Sequence, residues 1–452
     1  MVVPAASAPS WPAMRYGATR PNRPRSKYYP YWDLITLIQS ALLRRTMTLS
    51  AKLSRLQALK ADKGQQPVTS ATDLQQRLVR IDRTRLPGGP KLQQQKSAEE
   101  RLARQLKGYP VSEGLIRIYR RIPLHGCMGR YPLSLLQQTP RLPGETAMAN
   151  HRHVYFDTET TGLSGGSGTL AFLFGFATIE PESLQLTQYL ITRFAGETAM
   201  LEAINGILGI EDRLVSYNGK SYDLPLMKTR YRMHDMPAQL DQLPHLDLLH
   251  PIRRLFRNTW PDCRLVTLEQ RLLGLQRHND LPGSEAPQAW FDFLRAGSTA
   301  RLAGVVEHNL QDILSLAMTH VALTQVIDQP ERHAVDIAAL ARWQADHDTR
   351  AAYALLKRHR HTLPLSGKRL LGRLARRFGD WGLATETWDA LSQMGCRSAT
   401  EQLAKYHEHI SRDLKRAQHY CERLPIDADQ QRRLNRIVNK LHVQEMQPLL
   451  HP

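Results

Sequence analysis

The most constraining feature of this chain is a series of three apolar stretches separated by short polar segments between residues 151 and 194. In order, they lie in HVYFDTETTGL, LAFLFGFATIE and LQLTQYLITRF. Apolar runs of this length, bounded by Gly, Ser and Pro, are typical of buried β-strands. Because the connections between them are short, the three strands are predicted to form an antiparallel meander.

Helical patterns follow the meander. A helix is predicted over residues 199–208, a fourth strand over RLVSYNG ending at Asn218-Gly219, and a further helix from near Tyr222. From there to the end of a long helix over residues 299–327, only helices are predicted. Strands that come first and then alternate with helices predict an α/β fold with a mixed sheet covered by helices.

Composition shifts divide the chain into segments. Residues 1–46 are basic and rich in proline, which disfavours regular structure. This extension also resembles a transit peptide, although a start codon called too early, with Met47 as the true start, is slightly favoured. The predicted segments are a disordered basic extension (1–46), a basic helical and linker segment (47–110), a short β-rich lead-in with a strand over 114–124 (111–150), the α/β domain (151–328) and an α-helical region (331–452).

The helical region contains a weak internal repeat. Ala352, Ala384 and Ala417 recur at intervals close to the 34 residues of a tetratricopeptide motif. In that motif a small residue allows paired helices to approach each other. A tetratricopeptide-like array that binds a protein partner is one interpretation, and a plain helical bundle is the other.

Charge points to a polyanionic partner. The chain has a formal net charge of +19, with positive charge in excess in residues 1–150 and 331–452 and negative charge in excess between them. Basic surfaces attract nucleic acid through its phosphates, although the N-terminal excess also fits a solvated tail. The four cysteines are scattered, and no apolar run approaches the length of a membrane span. We therefore expect a cytoplasmic protein without a membrane partner.

Two carboxylates follow the first apolar stretch. Asp157 and Glu159 are two residues apart, so in a strand their side chains point to the same face of the sheet. Two like charges at close range repel each other, and a divalent cation relieves that cost. The alternative is that Asp157 caps a turn and Glu159 is solvated.

Two further carboxylates favour the cation. Asp223 comes just after a predicted strand, at the start of a helix, and Asp312 lies within the long helix beside its apolar face. His308 precedes Asp312 by four residues, which places both side chains on the same helix surface. The apolar face consists of Leu302, Val305, Ile313 and Leu316.

Three motifs carry a family resemblance. DTETTG at residues 157–162, YNGKSYD at 217–223 and HNLQD at 308–312 resemble the three exonuclease motifs of the DEDD, DnaQ-like nucleases. The chain most resembles the YprB-like branch of ribonuclease H-like proteins, which carry a trailing tetratricopeptide region. The resemblance implies a ribonuclease H-like mixed sheet and a C-terminal all-α helical-repeat region.

The resemblance also implies a function and a set of site residues. It implies a 3′–5′ exonuclease that hydrolyses single-stranded DNA or RNA with two divalent cations, Mg²⁺ or Mn²⁺. The implied metal ligands are Asp157, Glu159, Asp223 and Asp312, the implied general base is His308, and the implied substrate-binding residues are Thr160, Leu163 and Asn218.

One feature departs from the family pattern. Better-known relatives have His five residues before the last Asp, or Tyr four residues before it, whereas this chain has His at the Tyr spacing. His308 could therefore orient water rather than deprotonate it. The alternative function is a catalytically inactive, nucleic-acid-binding scaffold whose helical repeats recruit partners.

Overall fold

The computed structural model describes residues 90–145, 151–162, 168–277 and 280–446, all within the compact unit Pro87–Pro452. The strands are β1 (Tyr109–Ser112), β2 (Leu115–Pro123), β3 (Cys127–Met128), β4 (Tyr131–Pro132), β5 (Arg152–Thr160), β6 (Ala171–Ile179), β7 (Ser183–Ile191), β8 (Asp212–Ser216) and β9 (His245–Asp247). The helices up to the long one are α1 (Pro90–Leu106), α2 (Glu197–Ile207), α3 (Asp223–Met233), α4 (Leu249–Phe256), α5 (Leu265–Leu268), α6 (Ala286–Ala296) and α7 (Ala300–Asp328). The remaining helices are α8 (Ile337–Ala345), α9 (Thr349–Arg358), α10 (Leu365–Arg377), α11 (Trp381–Gln393), α12 (Arg397–His409), α13 (Leu414–Glu422) and α14 (Ala428–Met446).

Seven of the strands form one mixed sheet in the order β1-β2-β7-β6-β5-β8-β9. Strands β5, β6 and β7 are antiparallel neighbours, which confirms the predicted meander. Strand β8 then runs parallel to β5, and β9 runs parallel to β8. This mixed sheet with flanking helices, followed by an all-helical region, confirms the predicted fold class.

The apolar stretches become the centre of the sheet because both of its faces are covered. Every residue of β6 except Ile179 is buried, and β7 is buried almost throughout. A strand covered on both faces needs continuous rather than alternating apolar residues. The segment LAFLFGFATIE has this character, which explains why it occupies a central position.

The predicted strand over residues 114–124 is present as β2. It pairs antiparallel with β7 along its whole length and so extends the same sheet beyond the meander. Its first residues, Leu115 and Ile116, are buried, whereas its later basic residues reach the surface. The disordered extension predicted for residues 1–46, and the first helix expected within residues 47–110, lie outside the described residues.

One expectation in this part of the chain is wrong. After Tyr222 only helices were expected, but β9 forms at His245–Asp247. A strand of three residues shows no periodicity in the sequence, and it is stabilised by its pairing with β8. Strand β8 itself ends at Ser216, two residues earlier than expected.

The long helix α7 lies at the centre of the packing. Its predicted apolar face, formed by Leu302, Val305, Ile313 and Leu316, is fully buried. By length and composition alone, α7 is the one described helix that could span a membrane, but 67% of its most apolar window is buried inside the structure. That burial is what a core helix of a folded domain shows.

Helices α8 to α14 form the C-terminal region. Ala352, Ala384 and Ala417 are fully buried, and each is the fourth residue of its helix, in α9, α11 and α13. The residue before each of these helices is an aspartate whose side chain accepts backbone N–H hydrogen bonds as an N-cap. This recurrence supports a helical repeat, while the tetratricopeptide assignment stays a prediction.

Candidate functional site

Strand β5 carries the first two predicted site residues. Asp157 lies opposite Gly175 of the neighbouring strand β6, and Glu159 lies opposite Leu173. Both carboxylates are on the same face because they are two residues apart in a strand. Glu159 is only 8% exposed, so the solvated alternative for this residue is wrong.

The third carboxylate, Asp223, is the first residue of α3. The loop before it turns at Asn218, whose backbone has a φ of 69°. Asp247, at the end of β9, accepts backbone N–H hydrogen bonds from Asn218 at 2.7 Å and Lys220 at 3.1 Å. It also accepts one from Leu249, the first residue of α4, at 3.0 Å. Asp247 fixes the loop that delivers Asp223.

A hydroxyl group connects this loop to β5. Thr158, which lies between Asp157 and Glu159, donates a hydrogen bond to the Asp223 carboxylate. The side chain of Asp223 is therefore held against the strand that carries the first two acids. Thr158 was not singled out from the sequence.

Helix α7 reaches β5 through an amide. Asn309 Nδ2 donates to Asp157 Oδ2 at 2.9 Å and to the Asp157 carbonyl oxygen at 3.2 Å. The buried Gln188 of β7 donates in turn to Asn309 Oδ1 at 2.9 Å, which orients the amide. A Cβ atom on Gly175 would lie 2.1 Å from Asn309 Oδ1. A larger residue at this position would therefore displace the Asn309 side chain from this contact.

Asp312 lies one helical turn beyond Asn309 and contacts the half-buried Arg277. Arg277 donates a hydrogen bond to the Asp312 carboxylate and two more to Glu269, at 2.6 and 2.8 Å. Its remaining terminal nitrogen, Nη1, donates to Asp280 at 3.0 Å. Arg277 thus supplies positive charge beside Asp312 in this arrangement.

His308 lies between two of these acids. Its Nδ1 atom is 2.8 Å from Asp280 Oδ1, and its Nε2 atom is 3.6 Å from Asp312 Oδ2. The predicted shared helix surface of His308 and Asp312 is therefore present. An Asp that accepts the Nδ1 proton leaves Nε2 as the free acceptor of the ring, which is the tautomer that a base requires.

Burial raises the pKa of all four carboxylates of the site. Burial, followed by the charges of Asp312 and Asp223, raises the pKa of both Asp157 and Glu159 well above their ordinary values. Burial also raises the pKa of Asp223 to about 6, against the opposing hydrogen bond from Thr158. Burial raises the pKa of Asp312 as well, while Arg277 offsets part of that effect. Four acids from β5, α3 and α7 therefore share one electrostatic environment.

The donor chemistry of this group fits a hard divalent cation. Carboxylate oxygens are the ligands that Mg²⁺ and Mn²⁺ prefer, and a cation would offset the repulsion that raises these pKa values. Among the described residues, however, no three His, Cys, Asp or Glu side chains stand in an arrangement that could hold a metal ion. Binding would require the side chains to turn towards the ion and Asp312 to loosen its contact with Arg277.

The three expected substrate-binding residues have different outcomes. Thr160 ends β5, and its hydroxyl donates to the carbonyl oxygen of Gly162 at 3.0 Å. Asn218 contributes through its backbone, which shapes the loop before Asp223. Leu163 lies outside the described residues. Contact with a nucleotide stays a prediction for all three.

Comparison with known proteins identifies the family. The family model described as the RNase H superfamily matches residues 154–324. The uncharacterized protein YprB of Bacillus subtilis (strain 168) is 31% identical over 328 residues, which cover 68% of this chain and 79% of YprB. The chain belongs to the YprB-like branch of the RNase H superfamily. The resemblance stated from the three motifs is thereby confirmed.

Superfamily membership supports a nuclease-type function, and RNase H-like nucleases generally use divalent metal ions. A family B DNA polymerase from Pyrobaculum calidifontis is also similar, with a TM-score of 0.29 and 12% identity. The match covers 57% of this chain and 35% of the polymerase. A TM-score this low is no basis for assigning a function.

Several residues that shape the site were missed from the sequence. Thr158 and Asn309 lie within the quoted motifs without an assigned role, and the others lie outside those motifs. Their roles come from pairing and packing between distant segments. Gly175 offered one signal, since a glycine inside an apolar strand often marks the close approach of another backbone. The residues in question are Thr158, Gly175, Gln188, Arg277, Asp280 and Asn309.

Proposed function

We propose that this YprB-like protein is a metal-dependent 3′–5′ exonuclease that hydrolyses phosphodiester bonds of single-stranded DNA or RNA. The observation that carries the proposal is the electrostatic interaction of carboxylates from three separate elements, since Asp312 and Asp223 raise the pKa of both Asp157 and Glu159. Thr158 and Asn309 hold two of these acids, Asp223 and Asp157, by hydrogen bonds. A group of interacting acids whose pKa values are raised by burial, with Arg277 offsetting only part of the charge, is a candidate functional site.

In this proposal Asp157, Glu159, Asp223 and Asp312 hold two divalent ions, Mg²⁺ or Mn²⁺. When bound, such ions stabilise the attacking and leaving oxygens of an in-line displacement. The protein contributes the positions of the ligands. Thr158 holds the Asp223 carboxylate, and Asn309 holds that of Asp157.

His308 is the proposed general base. Arg277 Nη1 and Asp280 both lie within hydrogen-bond distance of His308 Nδ1, at 3.1 and 2.8 Å. The proposal requires the tautomer in which Nδ1 donates to Asp280, so that Nε2 takes a proton from water on the side that faces Asp312. Arg277 keeps Asp280 in place through a hydrogen bond. Thr160, Leu163 and Asn218 are proposed to contact the terminal nucleotide, and the C-terminal helices to bind a protein partner.

The decisive experiment follows the digestion of 5′-labelled single-stranded DNA and RNA with Mg²⁺ or Mn²⁺. The wild-type protein is expected to shorten the labelled strand from its 3′ end, giving a ladder. The double variant Asp157→Ala/Glu159→Ala should leave the strand intact. The matched control Glu202→Ala/Glu386→Ala removes two exposed acids from other helices and should digest like the wild type. Digestion by the first variant at the wild-type rate would refute the proposal.

A second candidate function is a catalytically inactive nucleic-acid-binding scaffold. The observation that favours it is the contact between Arg277 and Asp312, where a positive side chain already offsets the charge of a proposed metal ligand. A scaffold would bind the labelled strands and leave them intact at every Mn²⁺ concentration. The digestion experiment therefore separates the two candidates.

A further inference from the structure

A basic groove lies between the RNase H-like domain and the first C-terminal helices. It encloses a cavity of about 650 Å³ and is lined by five arginines: Arg253, Arg254 and Arg257 of α4 and its C-terminal end, Arg342 of α8 and Arg373 of α10. We use "basic groove" for the cavity lined by these five residues. All five are exposed to solvent.

The arginines of the basic groove differ from several other arginines of the protein in whether they form ion pairs. Arg193, Arg277 and Arg301 each form ion pairs with carboxylates. Within the described part of the chain, no ion pair involves any of the five groove arginines. Five exposed arginines that converge on one cavity repel each other, and an anionic ligand would offset that repulsion.

One of these arginines is held in place by an aromatic ring. The Arg254 guanidinium lies 5.3 Å from the centroid of the Trp343 ring, which is a cation–π arrangement. Trp343 is only 9% exposed, so it forms a fixed floor for the charge. An arginine oriented before binding loses less conformational freedom when it contacts a ligand.

The two walls of the basic groove are also fixed relative to each other. The backbone N–H of Asp336, which precedes α8, donates to the carbonyl oxygen of Leu255 in α4 at 2.9 Å. Asn258 donates to the Asp336 carboxylate at 2.7 Å. Ile252 and Leu340 belong to one continuous apolar core beneath both walls. The groove is therefore built into the fold rather than formed between loosely connected parts.

The basic groove leads towards the proposed active site. A second cavity of about 290 Å³ shares His250, Arg254 and Trp343 with it and is also lined by Lys220. Lys220 is exposed and belongs to the loop that Asp247 anchors, three residues before Asp223. Positive side chains thus extend from α10 to the loop that carries a proposed metal ligand.

We propose that the basic groove binds the phosphate backbone of a single-stranded nucleic acid whose end lies at the carboxylate site. Which end of the strand lies there rests on the proposed function, whereas binding in the groove does not. Arginine favours this ligand because its planar fork matches the oxygens of a phosphate. A flexible strand also presents regularly spaced phosphates to successive side chains along the groove.

The test measures the binding of a fluorescently labelled single strand of about 20 nucleotides by anisotropy, with EDTA present to prevent cleavage. The groove variant Arg342→Glu/Arg373→Glu is compared with Arg350→Glu/Arg358→Glu, which reverses two exposed arginines on α9 outside the groove. We expect the groove variant to bind at least about 10-fold more weakly. Its affinity should also depend less steeply on salt, by about 0.7 in the logarithmic slope for each phosphate that its side chains no longer bind. The control variant should bind within about 3-fold of the wild type.

Wild-type affinity in the groove variant, or an equal loss in the control variant, would overturn the proposal. Competition by polyglutamate as effective as that by unlabelled oligonucleotide would also overturn it, because the groove would then recognise acidic protein instead. Both variants should unfold at the same temperature as the wild type, so that a change in affinity reflects strand binding and not loss of folded protein.

A separate assay distinguishes this proposal from the proposed function. Hydrolysis of bis(p-nitrophenyl) phosphate with Mn²⁺ requires the carboxylate site but no long strand, so the groove variant should match the wild type. If the wild type shows no hydrolysis, and the groove variant still loses strand binding, the nuclease proposal fails and the groove proposal stands. If the wild type is active and the groove variant binds strands normally, the nuclease proposal stands and the groove proposal fails.

Discussion

Two groups of carboxylates, one in each part of this molecule, have opposite surroundings. In the helical region, Glu408 of α12 is 4% exposed and contacts Arg436 and Lys440 of α14 at 2.7 and 2.8 Å. In the RNase H-like domain, the half-buried Asp157 and the buried Glu159 lie near other acids, and burial together with those acids raises their pKa. The hydrogen bond from Arg436 is the main cause that lowers the pKa of Glu408 to about 2.

The difference shows what each group of charges does. The charge of Glu408 is neutralised by its own chain, so it joins two helices of the C-terminal region. The charges of the carboxylate site are neutralised only in part. Arg277 opposes the rise in the pKa of Glu159 and of Asp312. A fold retains such a costly arrangement when the missing positive charge comes from a ligand. The carboxylate site is thus interpreted as functional, and the Glu408 cluster as structural.

Asp157→Asn should break the comparison most strongly. We expect Mn²⁺-dependent digestion to fall by about 10³-fold or more, because losing a metal ligand removes several kcal/mol of transition-state stabilisation. The free energy of unfolding without metal should stay the same or rise, since a buried like charge is removed. Digestion assays and denaturant unfolding measure the two effects. A large loss of stability would indicate that Asp157 has a structural role, as Glu408 does.

Glu408→Ala should produce the opposite pattern. Its removal leaves Arg436 and Lys440 without their shared partner, and we expect a loss of about 3 kcal/mol in the free energy of unfolding. The protein that remains folded should digest labelled strands at the wild-type rate. Glu422→Ala, which removes an exposed acid from α13, should change stability by no more than about 0.5 kcal/mol. Equal effects of the two substitutions would contradict the structural role of Glu408.

The same residue predicts a pH dependence of stability. The pKa of Glu408 lies at about 2 in the folded chain, below the ordinary value of 4.5, so the unfolded chain binds the proton first as pH falls. Its contribution should therefore be complete above about pH 4.5 and decline as the pH drops towards 2. In Glu408→Gln this part of the curve should flatten, as measured by thermal unfolding over that range. If the dependence of stability on pH is unchanged in Glu408→Gln, other acids cause the loss of stability between pH 4.5 and pH 2.

Gly175→Ala sharpens the role of close packing at the carboxylate site. The added methyl group would meet the side-chain ends of Asn309 and Ile313 of α7, so these side chains must move and the contact of Asn309 with Asp157 is disturbed. We expect a loss of about 1–3 kcal/mol in stability and weaker Mn²⁺ binding. Gly206→Ala is the matched control, because a Cβ there meets nothing within 4 Å, and stability should change by less than about 1 kcal/mol. Unaltered Mn²⁺ binding in Gly175→Ala would show that Mn²⁺ affinity does not depend on the close packing at Gly175.

Asn309→Ala should have the smallest effect. It removes the amide that orients Asp157, and we expect a stability loss of about 1 kcal/mol and Mn²⁺ affinity lowered by about 10-fold. A double-mutant cycle with Gln188→Ala tests whether the two amides act together. Additive losses in the cycle would mean that Gln188 does not orient Asn309.

The elements of this fold could be predicted where the sequence carries local periodicity. The meander, the long helix α7 and the all-helical C-terminal region follow from runs of apolar residues and their spacing. Strand β9 could not be predicted, because its three residues form a strand only when β8 is beside them. The order of the strands in the sheet likewise depends on pairing between distant segments.

The site divides in a similar way. The four acids and His308 could be identified because they stand in motifs with fixed spacing. Arg277 and Asp280 could not, because they come from a loop that meets α7 only in the folded chain. Whether an acid is balanced by a basic side chain is decided by tertiary structure, and spacing alone does not reveal it.

Titration calorimetry with Mn²⁺ tests the central claim, that the four carboxylates form a cation site. The wild-type protein should bind two ions, and Asp157→Asn should lose binding of at least one, while Glu408→Gln should bind like the wild type. Absence of binding in the wild type, or equal binding by Asp157→Asn, would contradict the account.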